Sequence, residues 1–138
     1  MIPVLYNFFR STAAWRVRIA LNLKGVSHDR RGVWIRTEEH RKPDYLAVNP
    51  QGLVPAMDVG GVILPQSIAI LEWLEETHPE PPILPRDAAQ RGMVRAAALL
   101  IACDIHPLNN RRVLEYLKDR LSLDAGAIRD WENNWLAE

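Results

Sequence analysis

The chain has 138 residues, enough for one hydrophobic core or for a small α/β domain with part of a second domain. Hydrophobic residues make up 48% and charged residues 25%, a composition typical of a globular protein that excludes a disordered or low-complexity chain. Lys and Arg together number 17, as do Asp and Glu, so the zero net charge favours small-molecule partners over nucleic acid or a membrane surface.

The first predicted elements are a strand over residues 4–6 and a helix that ends at Gly25. Ser11 and Thr12 lie at the N-terminus of this helix. Unpaired backbone N–H groups and the positive end of the helix dipole stabilise an anion there. A hydroxyl side chain at this position is also an ordinary N-cap, so both interpretations stand.

An edge strand and a polar loop follow. Residues 27–35 predict a second strand, and Arg30 and Arg31 within it are typical of a sheet edge. Residues 37–42 predict a polar loop, and residues 43–47 predict one helical turn.

A hairpin and a second helix come next. Residues 54–59 and 62–64 predict two antiparallel strands, since the two glycines between them favour a tight turn. Ser67 is predicted to cap a helix that ends near His78.

This order of elements predicts a thioredoxin-like α/β domain over residues 1–78, with a four-stranded mixed sheet and flanking helices. The four prolines of residues 79–86 predict a stiff, extended linker. Residues 87–138 predict the first part of an all-α domain.

In the second domain, Asp87 is predicted to cap a long helix that runs towards Lys118 and is kinked by Pro107. A last helix carries Trp131 and Trp135 on one stripe with little to pack against. The chain is therefore predicted to be a fragment, or to have this surface covered by a partner.

Some kinds of site and location are excluded by local sequence features. Cys103, the single cysteine, lies in an apolar run that predicts a buried helix, so no disulfide or CxxC pair is expected. The four histidines lack partners at metal-ligand spacing, so no metal is predicted. Neither a secretory signal nor a membrane-spanning run is recognisable, which predicts a cytoplasmic protein.

Two further positions favour a ligand groove. Pro55 begins a predicted strand and leaves the backbone of Val54 available to an extended peptide, although a proline that merely begins a strand fits the pattern better. Gln66 and Ser67 suit a carboxylate at the second helix N-terminus, where capping is again the alternative. The fold would bring these positions and the first helix N-terminus to one sheet edge, as a groove for an anionic tripeptide.

Four segments, residues 9–21, 49–55, 66–70 and 103–110, carry a family resemblance. On these segments the chain resembles zeta-class glutathione transferases, the family of maleylacetoacetate isomerase and maleylpyruvate isomerase. The resemblance implies the glutathione transferase fold with an incomplete helical domain, glutathione as cofactor, and a homodimer.

The resemblance also implies which residues bind glutathione. Ser11, with Thr12 nearby, would donate a hydrogen bond to the sulfur, and Val54, before a cis Pro55, would pair with the cysteinyl backbone. Gln66 and Ser67 would hold the γ-glutamyl carboxylate. His40 and Gln51 would contact the glycyl end, and Asp104 would reach glutathione across a dimer interface.

A small dicarboxylate keto acid is the substrate that the resemblance implies. Arg10, near the sulfur, and Arg112 are candidates to bind its carboxylates, with a solvated helix charge as the alternative for Arg112. His106 is a candidate substrate contact or a partner for a carbonyl freed by Pro107, and Asn110 is predicted to share its helical face.

The leading functional prediction is glutathione-dependent cis–trans isomerisation of a maleyl keto acid to its fumaryl form. Two alternatives remain open. One is glutathione transfer or dehalogenation of small α-halo acids, and the other is a catalytically silent glutathione-binding or dimerisation module.

Overall fold

A computed structural model describes residues 2–136 of the chain. The chain divides into two compact units, which we name the sheet unit, residues 1–84, and the helical unit, residues 85–138. The division falls inside the predicted proline-rich linker.

The sheet unit contains four strands and three α-helices within the described residues. They are β1 (Val4–Asn7), α1 (Thr12–Leu23), β2 (Asp29–Gly32), α2 (Pro43–Leu46), β3 (Ala56–Asp58), β4 (Ile63–Pro65) and α3 (Ser67–Thr77). The strand order is β2-β1-β3-β4, with β1 parallel to β2 and antiparallel to β3, and β3 antiparallel to β4. The predicted mixed sheet and the edge position of the second strand are therefore confirmed.

The core of the sheet unit lies where α1 and α3 cover the sheet. Its fully buried side chains are Leu5, Val17, Leu21, Met57, Ile70 and Leu74. Burial of each such side chain contributes about 1.5–3 kcal/mol. The apolar spacing of α1 thus sets which face of the helix meets the sheet.

The segment between β2 and α2 differs from the predicted polar loop. It forms two short 3-10 turns, Ile35–Thr37 and Glu39–Arg41, joined by Glu38 at a φ of 57°. The carboxylate of Glu39 accepts a hydrogen bond from the backbone N–H of Trp34 at 2.6 Å. This local bond orders a segment whose composition alone predicts a loop.

The predicted N-cap of α3 is wrong by one residue. Gln66, at a φ of 69°, occupies the cap position, and Ser67 is the first helical residue and is buried. Because the turn at Gln66 already directs the chain from β4 into the helix, the Ser67 side chain lies inside the first turn instead of capping it.

A buried ion pair joins α1 to α3. The Lys24 Nζ lies 2.7 Å from a carboxylate oxygen of Glu75, and both side chains are buried. The same Nζ donates to the carbonyls of His78, at 2.6 Å, and Pro81, at 2.9 Å. The three N–H groups of the ammonium therefore each have an acceptor within the protein.

The Glu75 carboxylate holds the end of the linker. It accepts hydrogen bonds from the backbone N–H groups of Ile83, at 3.0 Å, and Leu84, at 3.2 Å. Burial raises the pKa of Glu75, but these two amides and Lys24 outweigh burial, and the pKa lies below its ordinary value. The proline-rich segment is thus fastened to the sheet unit.

The helical unit contains α4 (Ala88–Leu99), a π-helical segment over Leu100–Ile105, α5 (Arg111–Asp119) and α6 (Ala125–Leu136). As predicted, Asp87 caps α4 by accepting from the N–H of Gln90 at 2.9 Å.

The single kinked helix predicted towards Lys118 is wrong, because two helices occupy that range. Helical structure stops at Ile105, and Asn110 caps α5 by accepting from the N–H of Val113 at 3.3 Å. Pro107 has no N–H, and its ring clashes with the carbonyl four residues earlier, so the chain leaves the helix there. Asn110 then supplies a favourable new start.

The burial predicted for Cys103 is also wrong, because its side chain is exposed. Among the described residues of the helical unit, Leu117 is the only apolar residue that is buried. Trp131, in contrast, has a partner, since its indole N–H donates to the carbonyl of Leu108 at 2.9 Å and its ring contacts Trp135. The last predicted helix is confirmed, and its tryptophans are half-buried.

Candidate functional site

The N-terminus of α1 presents Ser11 as its cap. The Ser11 Oγ accepts a hydrogen bond from the N–H of Ala14 at 3.2 Å, and the side chain is half-buried. The capping interpretation is therefore confirmed. A hydroxyl that accepts one bond still has its own O–H to donate, so the same group can serve an anion at this positive helix end.

The loop before Ser11 is fastened at both ends. The Ser11 N–H donates to the carbonyl of Phe8 at 3.0 Å. The Arg18 guanidinium, on α1, donates to the carbonyl of Phe9 at 3.0 Å. These bonds fix where the Ser11 hydroxyl lies, and Arg10, between them, keeps an exposed side chain.

An aromatic cluster of Phe8, Phe9 and Trp34 adjoins this loop. The ring centroids lie 4.9 Å apart for Phe8 and Phe9 and 6.0 Å apart for Phe9 and Trp34, in edge or tilted contacts. Phe9 and Trp34 are more than half exposed. Sequence reasoning did not assign this cluster to the site, although two of its members directly precede the serine loop.

The backbone at Val54 lies outside the sheet ladder. The pairing of β3 with both neighbours stops at Ala56, and the Val54–Pro55 peptide bond is cis. The cis bond implied by the family resemblance is therefore present, and the Val54 backbone is available for pairing with a ligand.

Two predicted glutathione contacts meet each other. The Gln66 side-chain amide donates to the Gln51 side-chain oxygen at 2.9 Å, and both side chains are exposed. Ser67 is buried at the start of α3, and His40 is buried, with its backbone carbonyl oxygen close to Gly52. The contact between Gln51 and Gln66 thus brings together the turn at Gly52 and the start of α3.

The predicted residues of the helical unit follow one another along the chain. Asp104 is exposed in the π-helical segment, and His106 is half-buried at its end. Arg112 is exposed in the first turn of α5. The predicted shared helical face of His106 and Asn110 is wrong, because no helix continues between them and the Asn110 side-chain oxygen caps α5.

Within residues 2–136, no three His, Cys, Asp or Glu side chains come close enough together to hold a metal ion. Over the same residues, every helix is too short or too polar to cross a membrane.

The chain is similar in sequence and in structure to known proteins. Residues 10–77 match the family described as glutathione S-transferase, N-terminal domain. The chain belongs to the glutathione S-transferase family. Two relatives of this glutathione S-transferase chain are the maleylpyruvate isomerase of Ralstonia sp, 53% identical over 133 residues, and the maleylacetoacetate isomerase of Pseudomonas aeruginosa, 45% identical over 137 residues.

The similarity extends over nearly the whole glutathione S-transferase chain but over only part of each relative. The alignments cover 96% and 97% of this chain and 63% and 64% of the Ralstonia and Pseudomonas proteins, respectively. The chain therefore spans less than two thirds of the length of these curated relatives.

Solved structures of glutathione S-transferases share the fold. A holo structure of a zeta-class maleylpyruvate isomerase superposes with a TM-score of 0.93 at 52% identity, covering 97% of this chain and 63% of its own. A maleylacetoacetate isomerase of Methylobacterium extorquens AM1, solved with malonate and glutathione bound, gives 0.91 at 41% identity and covers 96% and 62%. The predicted thioredoxin-like domain with a partial helical domain is confirmed.

Proposed function

We propose that the protein binds glutathione on the sheet unit and uses it to isomerise a maleyl keto acid to the fumaryl form. The observation that carries the proposal is the Ser11 hydroxyl, which caps α1 and retains a proton to donate beside the positive helix end. Similar proteins support the ligand, because the Methylobacterium structure and one from Anaeromyxobacter dehalogenans contain bound glutathione.

In the proposed complex, Ser11 donates to the glutathione sulfur, with Thr12 beside it. The Val54 backbone, before Pro55, pairs with the cysteinyl residue. Among the other predicted contacts, Gln66 and Ser67 hold the γ-glutamyl carboxylate, and His40 and Gln51 hold the glycyl end. These groups are donors of the kinds that suit carboxylates and peptide backbone.

The chemistry requires a thiolate. A free thiol with a pKa near 8.5 is only a few per cent ionised at neutral pH. Lowering that pKa by about two units needs about 2.7 kcal/mol, which one hydroxyl donor and a helix dipole together supply.

The thiolate adds to the maleyl carbon–carbon double bond, and the conjugated ketone takes up the negative charge. The bond is then single and rotates. Elimination of the thiolate restores the double bond in the trans form, so glutathione is regenerated and acts as a cofactor.

Substrate contacts complete the proposal. Arg10 and Arg112 bind the carboxylates of the keto acid through charge-assisted hydrogen bonds. We assign His106 and the side-chain N–H groups of Asn110 to the same substrate, and Asp104 to glutathione across a homodimer interface. A cytoplasmic location is part of this proposal.

The decisive test is Ser11→Ala, assayed with maleylpyruvate or maleylacetoacetate and catalytic glutathione. We expect kcat to fall about 10²- to 10³-fold, because a donor to the developing charge is lost. The glutathione dissociation constant, measured by calorimetry, rises by at most about tenfold, the cost of one hydrogen bond. Ser27→Ala, in an exposed loop, is the matched control and leaves both unchanged.

Each alternative function has its own signature in these assays. Consumption of one thiol per turnover would identify transfer or dehalogenation. Saturable glutathione binding without turnover would identify a silent glutathione-binding module, and absence of that signal in the unmodified protein would leave only a dimerisation module. Equal losses in kcat and affinity for Ser11→Ala would contradict thiolate activation.

A further inference from the structure

The carbonyl oxygen that directly precedes Val54 is held by two side chains. The Tyr45 hydroxyl donates to the Leu53 carbonyl at 2.7 Å, and the Asn49 amide donates to it at 2.8 Å. A backbone carbonyl has two lone pairs, so this oxygen is fully satisfied by the two donors. No strand partner is needed to orient it.

Both donors are buried and are themselves fastened. Tyr45 is 5% exposed and Asn49 is 2% exposed. The Asn49 N–H donates to the Tyr45 carbonyl at 2.8 Å, and the Asn49 side-chain oxygen accepts from the N–H of Gln51 at 3.2 Å. One asparagine therefore links α2, the turn at Gln51 and the Leu53 carbonyl.

Burial raises the pKa of Tyr45 to about 12, so its hydroxyl keeps its proton at neutral pH and remains a donor. The turn between the two donors and Leu53 is also tightly packed. Gly52 has a φ of 61°, and a Cβ there would lie 3.0 Å from the His40 carbonyl oxygen. The segment has little freedom to change its conformation.

We propose that Tyr45 and Asn49 are positioning residues for glutathione, which act by orienting the Leu53–Val54 backbone to pair with the cysteinyl residue. The inference rests on the proposed glutathione site. Neither side chain contacts the ligand; each fixes the carbonyl whose peptide plane includes the Val54 N–H. Loss of one donor frees that plane and weakens the backbone pairing.

The test combines Tyr45→Phe, which removes only the hydroxyl, with an altered ligand. The ligand is a glutathione depsipeptide in which an ester oxygen replaces the glycyl N–H, so the cysteinyl carbonyl that would accept from the Val54 N–H becomes a weaker, ester acceptor. With natural glutathione, we expect Tyr45→Phe to raise the dissociation constant about two- to tenfold. With the depsipeptide, which has lost part of the backbone pairing, the same substitution has a smaller effect.

This non-additivity is the readout that a general loss of stability would not produce. Asn49→Asp is the second variant, since an ionised carboxylate cannot donate to the Leu53 carbonyl, and it should show the same coupling. Tyr116→Phe and Asn22→Asp, at exposed positions, are the matched controls and should leave both dissociation constants unchanged.

Equal fold-changes for the two ligands in both variants would overturn the inference while leaving the proposed function intact. Failure of the unmodified protein to bind glutathione would instead overturn the proposed function, and the inference with it.

Discussion

The sheet unit and the helical unit are stabilised in different ways. Among the described residues, all buried apolar side chains except Leu117 belong to the sheet unit. Helix α4 and the π-helical segment bury none, and Met93, Leu100 and Ile101 are more than half exposed there. The sheet unit is therefore stabilised by a buried apolar core, whereas the helical unit depends on helix caps and on partly buried contacts such as that of Trp131 with Leu108.

This difference teaches where a substitution will matter. The free energy gained from burial scales with the apolar area removed from water. Truncating a side chain of the same type should therefore cost more stability in the sheet unit than in the helical unit. The following expected outcomes run from the largest effect to the smallest.

The largest effect is expected from Glu75→Gln. Removal of this charge leaves the ammonium of Lys24 buried without its counter-ion, which costs about 3–5 kcal/mol of unfolding free energy. The loss is measured by urea unfolding, monitored through the hydrogen exchange of peptides from the sheet unit. Glu115→Gln is the control, because Glu115 pairs with Arg111 at the surface and its loss costs less than about 1 kcal/mol.

A double variant, Lys24→Met with Glu75→Leu, sharpens this result. Replacing both charges by apolar side chains avoids an unpaired buried charge, so most of the lost stability should return. A double variant as unstable as Glu75→Gln would show that the bonds to the linker, and not the buried charge, dominate.

The second effect compares two helical leucines. Leu21 is 0% exposed and Leu99 is 44% exposed. Leu21→Ala should cost about 2–5 kcal/mol, because it leaves a cavity in the core. Leu99→Ala should stay within about 0.5 kcal/mol. Similar costs for both, measured by urea unfolding, would refute the contrast between the units.

The third effect is pH-dependent and confined to the sheet unit. The folded-state pKa of Glu75 lies below the ordinary value of 4.5, so its contribution is fully present above pH 4.5 and is lost as the pH falls through the lowered pKa. Unfolding free energy measured from pH 7 downward should show this loss. Glu75→Gln should lack it, and an unchanged acid profile in that variant would contradict the assignment.

The smallest effect is expected from Asn110→Ala, which removes the cap of α5. It should cost about 1 kcal/mol and raise hydrogen exchange in the first turn of α5 only. Asn133→Ala, at an exposed position of α6, is the matched control. Faster exchange throughout α5 and α6 would contradict a purely local effect of the cap.

Much of the candidate site was predictable because its signals are local. Ser11 at a strand-to-helix junction predicted both a cap and an anion site, and the cap is confirmed. The glutathione-binding roles of Gln51, Val54 and Gln66 remain predictions, although the contact between the two glutamines brings part of that set together.

What was missed depends on contacts between distant residues. Lys24 has the same helical spacing as the buried apolar residues of α1, which was the one signal of its burial, but its partner Glu75 lies 51 positions away. Likewise, nothing in the spacing of Tyr45 or Asn49 reveals that both donate to Leu53. Pro107 indicated that the helix is disrupted, but not that a new helix would begin after Asn110.

The sequence by itself determined the order of strands and helices in the sheet unit and the hairpin at Gly60 and Gly61, because side-chain periodicity and turn chemistry act over a few residues. The family was indicated by the resemblance of four segments. Tertiary structure alone decided which polar groups are buried in pairs, which apolar helix faces stay exposed, and how the backbone beside Val54 is held. These outcomes depend on the partner that packing supplies, and the free energy of a buried group is set by that partner.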